Sequence, residues 1–275
     1  MSVRVTSDPA EFQAATFPFL ETDPVLHTII MSNVAERAAG YLTETEPSYF
    51  VSVHDGAGKI TGVAMRTPNR SVHLGALRAD LADEVAGAYL DLLPELSGVA
   101  GDRAAATAFA RRWTAARGGA STESKGTRLH KLETLNPLPA EGMPRQLTAA
   151  DVHVAAQWSA DGFPAEAATP DLEWAERHRQ DGTMWFWEVD GTPVSMVAYH
   201  GAIFGVCRVG PVYTPPEHRR NGYAGALTVH VSAEILAQGN RACLYTDLDN
   251  PTSNKIYAQA GYVPVADFVD LSFTP

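Results

Sequence analysis

Cationic side chains are in short supply: 21 Lys and Arg face 32 Asp and Glu, for a formal net charge of −11 at pH 7. A protein that holds a duplex by its phosphates normally offers them a basic face. This balance therefore argues against a nucleic-acid partner, while leaving room for a local cationic pocket. Cysteine is scarcer still. Cys207 and Cys243 are the only two, each inside an apolar run and without metal-ligand spacing; free buried thiols in a reducing compartment are predicted, with no metal. Long apolar stretches are missing too, since none approaches the roughly 20 residues that cross a bilayer. Met1–Pro9 has no basic segment leading into an apolar core, so no leader is read there and a cytoplasmic setting without membrane contact is expected. What is present is a globular composition, 45% apolar and 19% charged over 275 residues, enough for one large domain or two ordinary ones.

The clearest break is Asn136–Pro144, with three prolines and one glycine in nine residues, which cannot continue a helix or a central strand. Residues 137–144 are predicted to be a linker between an N-terminal domain, 1–136, and a C-terminal domain, 145–275. In the C-terminal half, Arg145–Leu147 reads as a short strand and Thr148 as the N-cap of a helix to Trp158, with Asp151 three positions on. Pro170–Gln180 reads as a second helix. Met184–Val189 and Val194–His200 read as strands joined through Asp190-Gly191, a strong hairpin signal. A third strand, Gly205–Thr214, is interrupted by Gly210-Pro211, which predicts a bulge or a splay. Helix Ala224–Leu236, strand Ala242–Thr246, helix Asn254–Ala260 and one or two strands to Phe273 follow. The N-terminal half shows the same order more weakly: helix Asp23–Ala38, a hairpin of Tyr49–Val53 and Ile60–Arg66, strand Val72–Leu77, helices Leu81–Leu93 and Ala104–Arg117, and strand Thr127–Leu135. Two halves with one element order suggest a tandem duplication.

The chemistry concentrates after the third strand. Between Thr214 and the helix starting near Ala224 lies Arg219-Arg220-Asn221-Gly222-Tyr223-Ala224. The first amides of a helix lack internal partners and sit at the positive end of its dipole. A loop wrapping into that end can present several donors to a diphosphate. Gly222 allows positive φ and close anion approach, Ala224 keeps the helix start narrow, and Arg219 and Arg220 add charge. No Gly-Lys-Ser/Thr follows, and only one glycine is present, so neither a Walker loop nor a dinucleotide fingerprint fits.

A second motif, Asp249–Tyr262, follows the next strand. Here the sequence resembles the GNAT superfamily of acetyl-CoA-dependent N-acetyltransferases. The family pattern Gln/Arg-x-x-Gly-x-Gly/Ala is matched by Arg219, Gly222 and Ala224. The later pattern Asn-x-x-Ala/Ser-x-x-Leu/Ile-Tyr-x-x-x-Gly-Phe/Tyr is matched by Asn250, Ser253, Ile256, Tyr257, Gly261 and Tyr262. By motif the resemblance covers roughly Val209–Tyr262; elsewhere it rests on element order. It implies an α/β (α+β) fold of tandem GNAT-like domains, each a mixed, mostly antiparallel sheet flanked by helices. It further implies acetyl-CoA as co-substrate. Backbone groups of Val212, Tyr213 and Thr214 would pair with the pantetheine arm, an N–H there would stabilise the thioester oxygen, and Arg219–Ala224 would hold the diphosphate. Asn250 and Asn254 would meet the polar arm, and Tyr257 would protonate the departing thiolate as general acid. The same Tyr257 can instead be read as a core aromatic between helix and sheet.

The implied reaction is direct attack of an amine on the thioester. An aliphatic amine has a pKa of about 10 and must first lose a proton. Some family members use a strand glutamate for this; the corresponding residue here is Arg208, so the base stays unassigned among Glu188, His200, Glu217, Asp247 and the C-terminal carboxylate. The acceptor is read only as a small-molecule or peptide amine, and a homodimer is compatible with the sequence. Trp158, Phe163, Trp174, Trp185, Trp187 and Tyr199 supply aromatic surface for an acceptor pocket, a core or a seam. In the N-terminal half, Leu77–Val85 occupies the place of the diphosphate loop with no glycine and with acidic residues, so that half is expected to keep the fold without the coenzyme. The competing function is a non-catalytic acyl-CoA-binding sensor or scaffold.

Overall fold

The computed structural model describes residues 1–42, 44, 46–162 and 169–274. The chain runs β1 (Ser2–Thr6), α1 (Pro9–Leu20), α2 (Thr28–Ala38), β2 (Tyr49–His54), β3 (Ile60–Arg66), β4 (Val72–Gly75), α3 (Ala82–Leu92), β5 (Gly98–Asp102), α4 (Arg103–Arg117) and β6 (Ala120–Leu132). It continues as β7 (Met143–Gln146), α5 (Val152–Gly162), α6 (Leu172–Gln180), β8 (Met184–Val189), β9 (Thr192–Ile203), β10 (Val206–Tyr213), α7 (Tyr223–Ala237), β11 (Arg241–Asp247), α8 (Pro251–Ala260) and β12 (Tyr262–Thr274). Apart from short 3-10 turns, the two series have the same order of strands and helices. In each, three antiparallel pairings are followed by one parallel pairing, β4 with β5 and β10 with β11. The fold is a tandem of mixed, mostly antiparallel sheets flanked by helices.

The chain divides into two compact units, but not at the proline-rich segment. Unit 1 gathers Met1–Leu129, Thr246–Asp249 and Val265–Pro275; unit 2 gathers His130–Tyr245 and Asn250–Pro264. Residues 137–144, expected to be a linker, lie inside unit 2. The Asn136 amide donates to the Ala260 carbonyl at 3.0 Å, Leu138 packs on the unit 2 core, and the Trp187 indole donates to the Glu141 carbonyl at 2.7 Å. The segment is bound down by carbonyls at the end of α8 and by the half-buried Leu138, and its last two residues, Met143 and Pro144, open β7.

Unit 1 also takes its closing strand from the far end of the chain. β12 pairs antiparallel with β5, from Phe268 opposite Asp102 to Ser272 opposite Gly98. The place beside β5 that the repeat order assigns to β6 is thus filled by β12. Gly98 is needed at that pairing, because a Cβ there would sit 2.2 Å from the Leu271 carbonyl oxygen. The core of unit 1 packs α3 and α4 on this sheet, with Tyr89, Val99, Phe109 and Val269 fully buried.

Local chemistry explains most boundaries. Thr148 and Asp151 form a reciprocal capping box on the 3-10 turn Ala149–Asp151, which leads into α5. Burial raises the pKa of the Asp151 carboxyl, but bonds from Arg145 and Thr148 outweigh it and hold that pKa below the usual carboxylate value. The β8–β9 hairpin turns on Asp190 and Gly191, both at positive φ (47° and 77°), as a two-residue turn matched to strand twist requires. Helix α8 starts at Pro251, ahead of the expected Asn254, since Asn250 caps it by accepting from the Ser253 amide at 3.1 Å. β1, α1 and β5 have no counterpart in the sequence reading. α1 starts with Pro9 behind the Asp8 cap and carries Pro18 inside, and β5 is short with glycine at two of five positions.

Unit 2 has a core on each face of its sheet. Leu227, Val231 and Ile235 of α7 are fully buried against Val197, Cys207, Val209 and Leu244, each such side chain contributing about 2 kcal/mol by the apolar area removed from water. On the opposite face Ala155, Ala156 and Ala175 of α5 and α6 meet Met184, Phe186, Met196 and Ala198. Among the described residues, no helix is long and apolar enough to cross a membrane.

Candidate functional site

The two strands that matter in unit 2 are parallel for only four residues. β10 pairs with β11 from Val206 opposite Arg241 to Val209 opposite Leu244 and then leaves it. On its other edge, the register with β9 shifts between Val209 and Val212, then resumes as Val212 opposite Val197 and Tyr213 opposite Met196. Gly210-Pro211, joined by a cis peptide, occupies the shift. Proline offers no ladder donor and glycine bends freely, so the sequence itself ends the parallel pairing. β11 runs on to Asp247, and the two strands diverge.

Beyond β10 the chain makes a 3-10 turn at Pro216–His218 and enters α7 through Gly222, the N-cap, at φ 83°. The first ladder bond of α7 is from the Ala226 amide to the Gly222 carbonyl at 3.0 Å. The amides of Tyr223, Ala224 and Gly225 therefore stand ahead of the ladder at the positive end of the dipole. Arg220, also at positive φ (68°), and Gly222 curl the turn. Asn221 stitches it, donating through Nδ2 to the His218 and Arg219 carbonyls at 3.1 and 3.4 Å. Arg219 donates through Nε to the Thr214 carbonyl at 2.9 Å, tying the turn to the end of β10. A Cβ at Gly222 would lie 3.6 Å from Ala140 Cβ, an ordinary contact, so the inherited linker segment lines the turn without filling it.

Residues 152–262 match the model described as Acetyltransferase (GNAT) family. The chain carries a GNAT-family domain. No curated protein shows significant sequence similarity to the chain. Among solved structures, a GCN5-related N-acetyltransferase from Sphaerobacter thermophilus is 17% identical, with a TM-score of 0.63 over 99% of this chain and 95% of that one. A GNAT-family acetyltransferase from Colwellia psychrerythraea is 9% identical, with a TM-score of 0.62 over 99% of both chains. A tandem GNAT protein from the clavulanic acid biosynthesis pathway is 10% identical, with a TM-score of 0.57 over 100% of this chain and 99% of that one. At such identities the likeness is one of fold, and it extends over both series of elements. The family is one of acetyltransferases, and that general activity is what the match supports.

Within the GNAT domain, Tyr257 lies on α8, 8% exposed, in the core beneath α7 and 6.1 Å from the Tyr262 ring. Burial raises its pKa to about 12. Asn250 and Asn254 are engaged locally: the first caps α8, and the second donates through Nδ2 to the Asn250 carbonyl at 2.9 Å. The Tyr213 carbonyl accepts from Ser195 Oγ at 3.1 Å, and Thr214 Oγ1 lies 2.8 Å from Ser195 Oγ, while the Thr214 carbonyl accepts from Arg219. Thus Val212, Tyr213 and Thr214 form the edge beyond the divergence, but the Tyr213 and Thr214 carbonyls already have protein partners. Sequence reasoning missed Ser195 and the Arg219 tie, because both reach across from positions no local pattern links.

The candidate bases separate cleanly. Glu188 is ion-paired with Arg145, and Glu217 is exposed on the 3-10 turn. Asp247 belongs to unit 1, where it accepts from the Asp249 amide at 2.8 Å. The C-terminal carboxylate and Phe163 fall outside the described residues. His200 is half-buried on β9 opposite Arg208. Of the aromatic set, Trp185 and Trp187 face α7 in the core, whereas Trp158 packs on Phe186 and Tyr213 at 5.2 and 6.0 Å on the α5 face. Cys207 and Cys243 are buried thiols outside any disulfide, and burial raises the Cys207 thiol to about 11, far from a thiolate. In unit 1 the join of β4 to α3 has Leu81 as its cap, without a side-chain bond, and Asp83 and Glu84 in the first turn. Two carboxylates in that first turn oppose an anion at the positive end of the dipole.

Proposed function

We propose that unit 2 transfers an acetyl group from acetyl-CoA to an amine by direct attack, with no acyl-enzyme. The observation that carries this is the divergence of β10 from β11 at Val209, opening beside a helix start whose first amides are unspent. The coenzyme supplies an activated acetyl group as a thioester. The edge Val212–Thr214 would receive its pantetheine arm, and the Tyr223–Gly225 amides with Arg219 and Arg220 would receive its diphosphate. Asn221 and Gly222 shape that turn, Gly222 leaving the backbone bare to an anion, and Asn250 and Asn254 hold the start of α8.

Tyr257 would act as the acid. A phenol raised to about 12 keeps its proton at neutral pH and so retains a donor for the departing sulfur. An ordinary thiol has a pKa of about 8.5, so this phenol acts first as a hydrogen-bond donor. Complete transfer requires the sulfur to become more basic as it is desolvated. Unit 1 carries acidic side chains where the coenzyme would need donors and would serve without binding it. A second reading, a non-catalytic acyl-CoA sensor, draws on Arg208 standing where a strand glutamate would otherwise take the amine's proton.

Release of free thiol from acetyl-CoA with a panel of amines, compared with Tyr257→Phe, tests the proposal. Turnover should fall about 100-fold in the variant with coenzyme affinity retained. Binding of acetyl-CoA without turnover on any amine, and no effect of the substitution, would favour the sensor.

A further inference from the structure

The face of the unit 2 sheet opposite α7 carries a strip of polar side chains that the acetyl-transfer chemistry leaves unused. Cys207 and Val209 point into the α7 core, so Arg208 between them points to the α5–α6 face. Register sets it opposite His200 on β9 and Cys243 on β11. Tyr245 follows two residues later on the same face of β11, one position past the last β10–β11 pair, and the Arg208 charge reaches its phenol. His178 of α6 closes the other side, its ring 6.4 Å from that of His200. All four side chains are half-buried, and β9 and β10 contain no acidic residue. Arg208 is the one permanent cation of β9 and β10, and β11 carries an acidic residue only at its end, Asp247.

We infer that this strip selects the acceptor: the amine that unit 2 acetylates also carries a carboxylate, which the Arg208 guanidinium receives with Tyr245 and His200 beside it. The inference rests on the acetyl-transfer reading and deepens it. Three structural facts converge. Arg208 precedes the Gly210-Pro211 break by two residues, so a group held there lies next to the end of the parallel pairing. A guanidinium presents paired donors that match a planar carboxylate. The half-buried setting weakens solvent screening, so the charge discriminates between an amino acid and the amine lacking its carboxylate. The same guanidinium disfavours a protonated, purely cationic amine, which gives the position a repulsive as well as an attractive role.

The test uses the full chain and matched probes: lysine against cadaverine, tyrosine against tyramine, and ethanolamine phosphate against ethanolamine. Thiol-release kinetics are measured for wild type, Arg208→Gln and Arg208→Lys, with direct calorimetric titration of each probe and of acetyl-CoA. Wild type should favour the carboxylate member of each pair. In Arg208→Gln the KM ratio within a pair should collapse by about tenfold or more, with kcat changing less, and Arg208→Lys should recover part of it. Preference for ethanolamine phosphate over both amino acids would overturn the carboxylate assignment. Equal use of both members, or a loss in Arg208→Gln that is the same for both, would overturn the whole inference. If acetyl-CoA does not bind at all, the acetyl-transfer reading fails, while the probe titrations still decide this one.

Discussion

Gly222 offers the sharpest separation between a coenzyme turn and an ordinary loop. Its φ is 83°, and a Cβ would find only Ala140 Cβ at 3.6 Å and the Pro139 oxygen at 3.8 Å. Space is therefore adequate, and the cost of a side chain is the left-handed backbone itself, about 1–2 kcal/mol for most residues and less for Asn or Asp. Both are also favoured N-caps, and a carboxylate at a helix start adds to stability. Gly222→Asn and Gly222→Asp should accordingly melt within a few degrees of the wild type. Their effect on acetyl-CoA should differ. One added negative charge at about 5 Å from a phosphate costs about 1 kcal/mol in water and about 3 kcal/mol at an effective dielectric of 20. Because Gly222 is exposed, the outcome lies between these limits, about 10- to 100-fold in Kd relative to Gly222→Asn. Calorimetry at two ionic strengths checks it, since the gap between the two variants should narrow in high salt. Equal affinity of the Asp and Asn variants would refute a diphosphate at this turn.

Two further outcomes concern the frame that holds the site. Gly261→Ala puts a Cβ 1.6 Å from the Thr134 oxygen at φ 101°, whereas Gly239→Ala, at φ 78°, meets nothing within 4 Å. Chemical denaturation should show about 1 kcal/mol lost for the latter and about 3 kcal/mol or more for the former; similar losses would contradict the packing described. Deleting Val265 onward removes the strand paired with β5. Hydrogen exchange should then rise in Gly98–Asp102 and Val72–Gly75 far more than in β8 and β9, and exchange that rises only in the C-terminal half would contradict the division into units.

Legibility followed the range of the interactions. The Asp190-Gly191 hairpin, the Thr148–Asp151 cap, the Gly210-Pro211 break and the Gly222 turn were readable because each depends on neighbours a few residues away. The proline-rich segment misled for a related reason. Prolines report that a stretch continues neither a helix interior nor a central strand; they leave an edge strand such as β7, which takes in Pro144, open, and say nothing about whether the stretch is bound. Here Leu138 and the α8 carbonyls bind it into unit 2. Trp185 and Trp187 shared a face as alternation predicted, yet which of the sheet's two cores they joined depended on where α7 packed. Tyr257 is a core aromatic, as one of its two readings had it, and the same burial keeps its proton on, which leaves the proposed acid role compatible with that placement.

By itself the sequence suggested a repeated order of elements, without β1, α1 and β5, and carried the family motifs at Arg219–Ala224 and Asn250–Tyr262 and the absence of a glycine turn in the first half. These are written in local residue types, where steric freedom, capping and periodicity act directly. Only the tertiary structure decided that β12 completes unit 1, that Glu188 is spent on Arg145, and that Arg208 shares a face with His200 and Tyr245. Each depends on strand register between distant segments. Register is fixed by the mutual burial of whole faces, and no single stretch of the chain carries it.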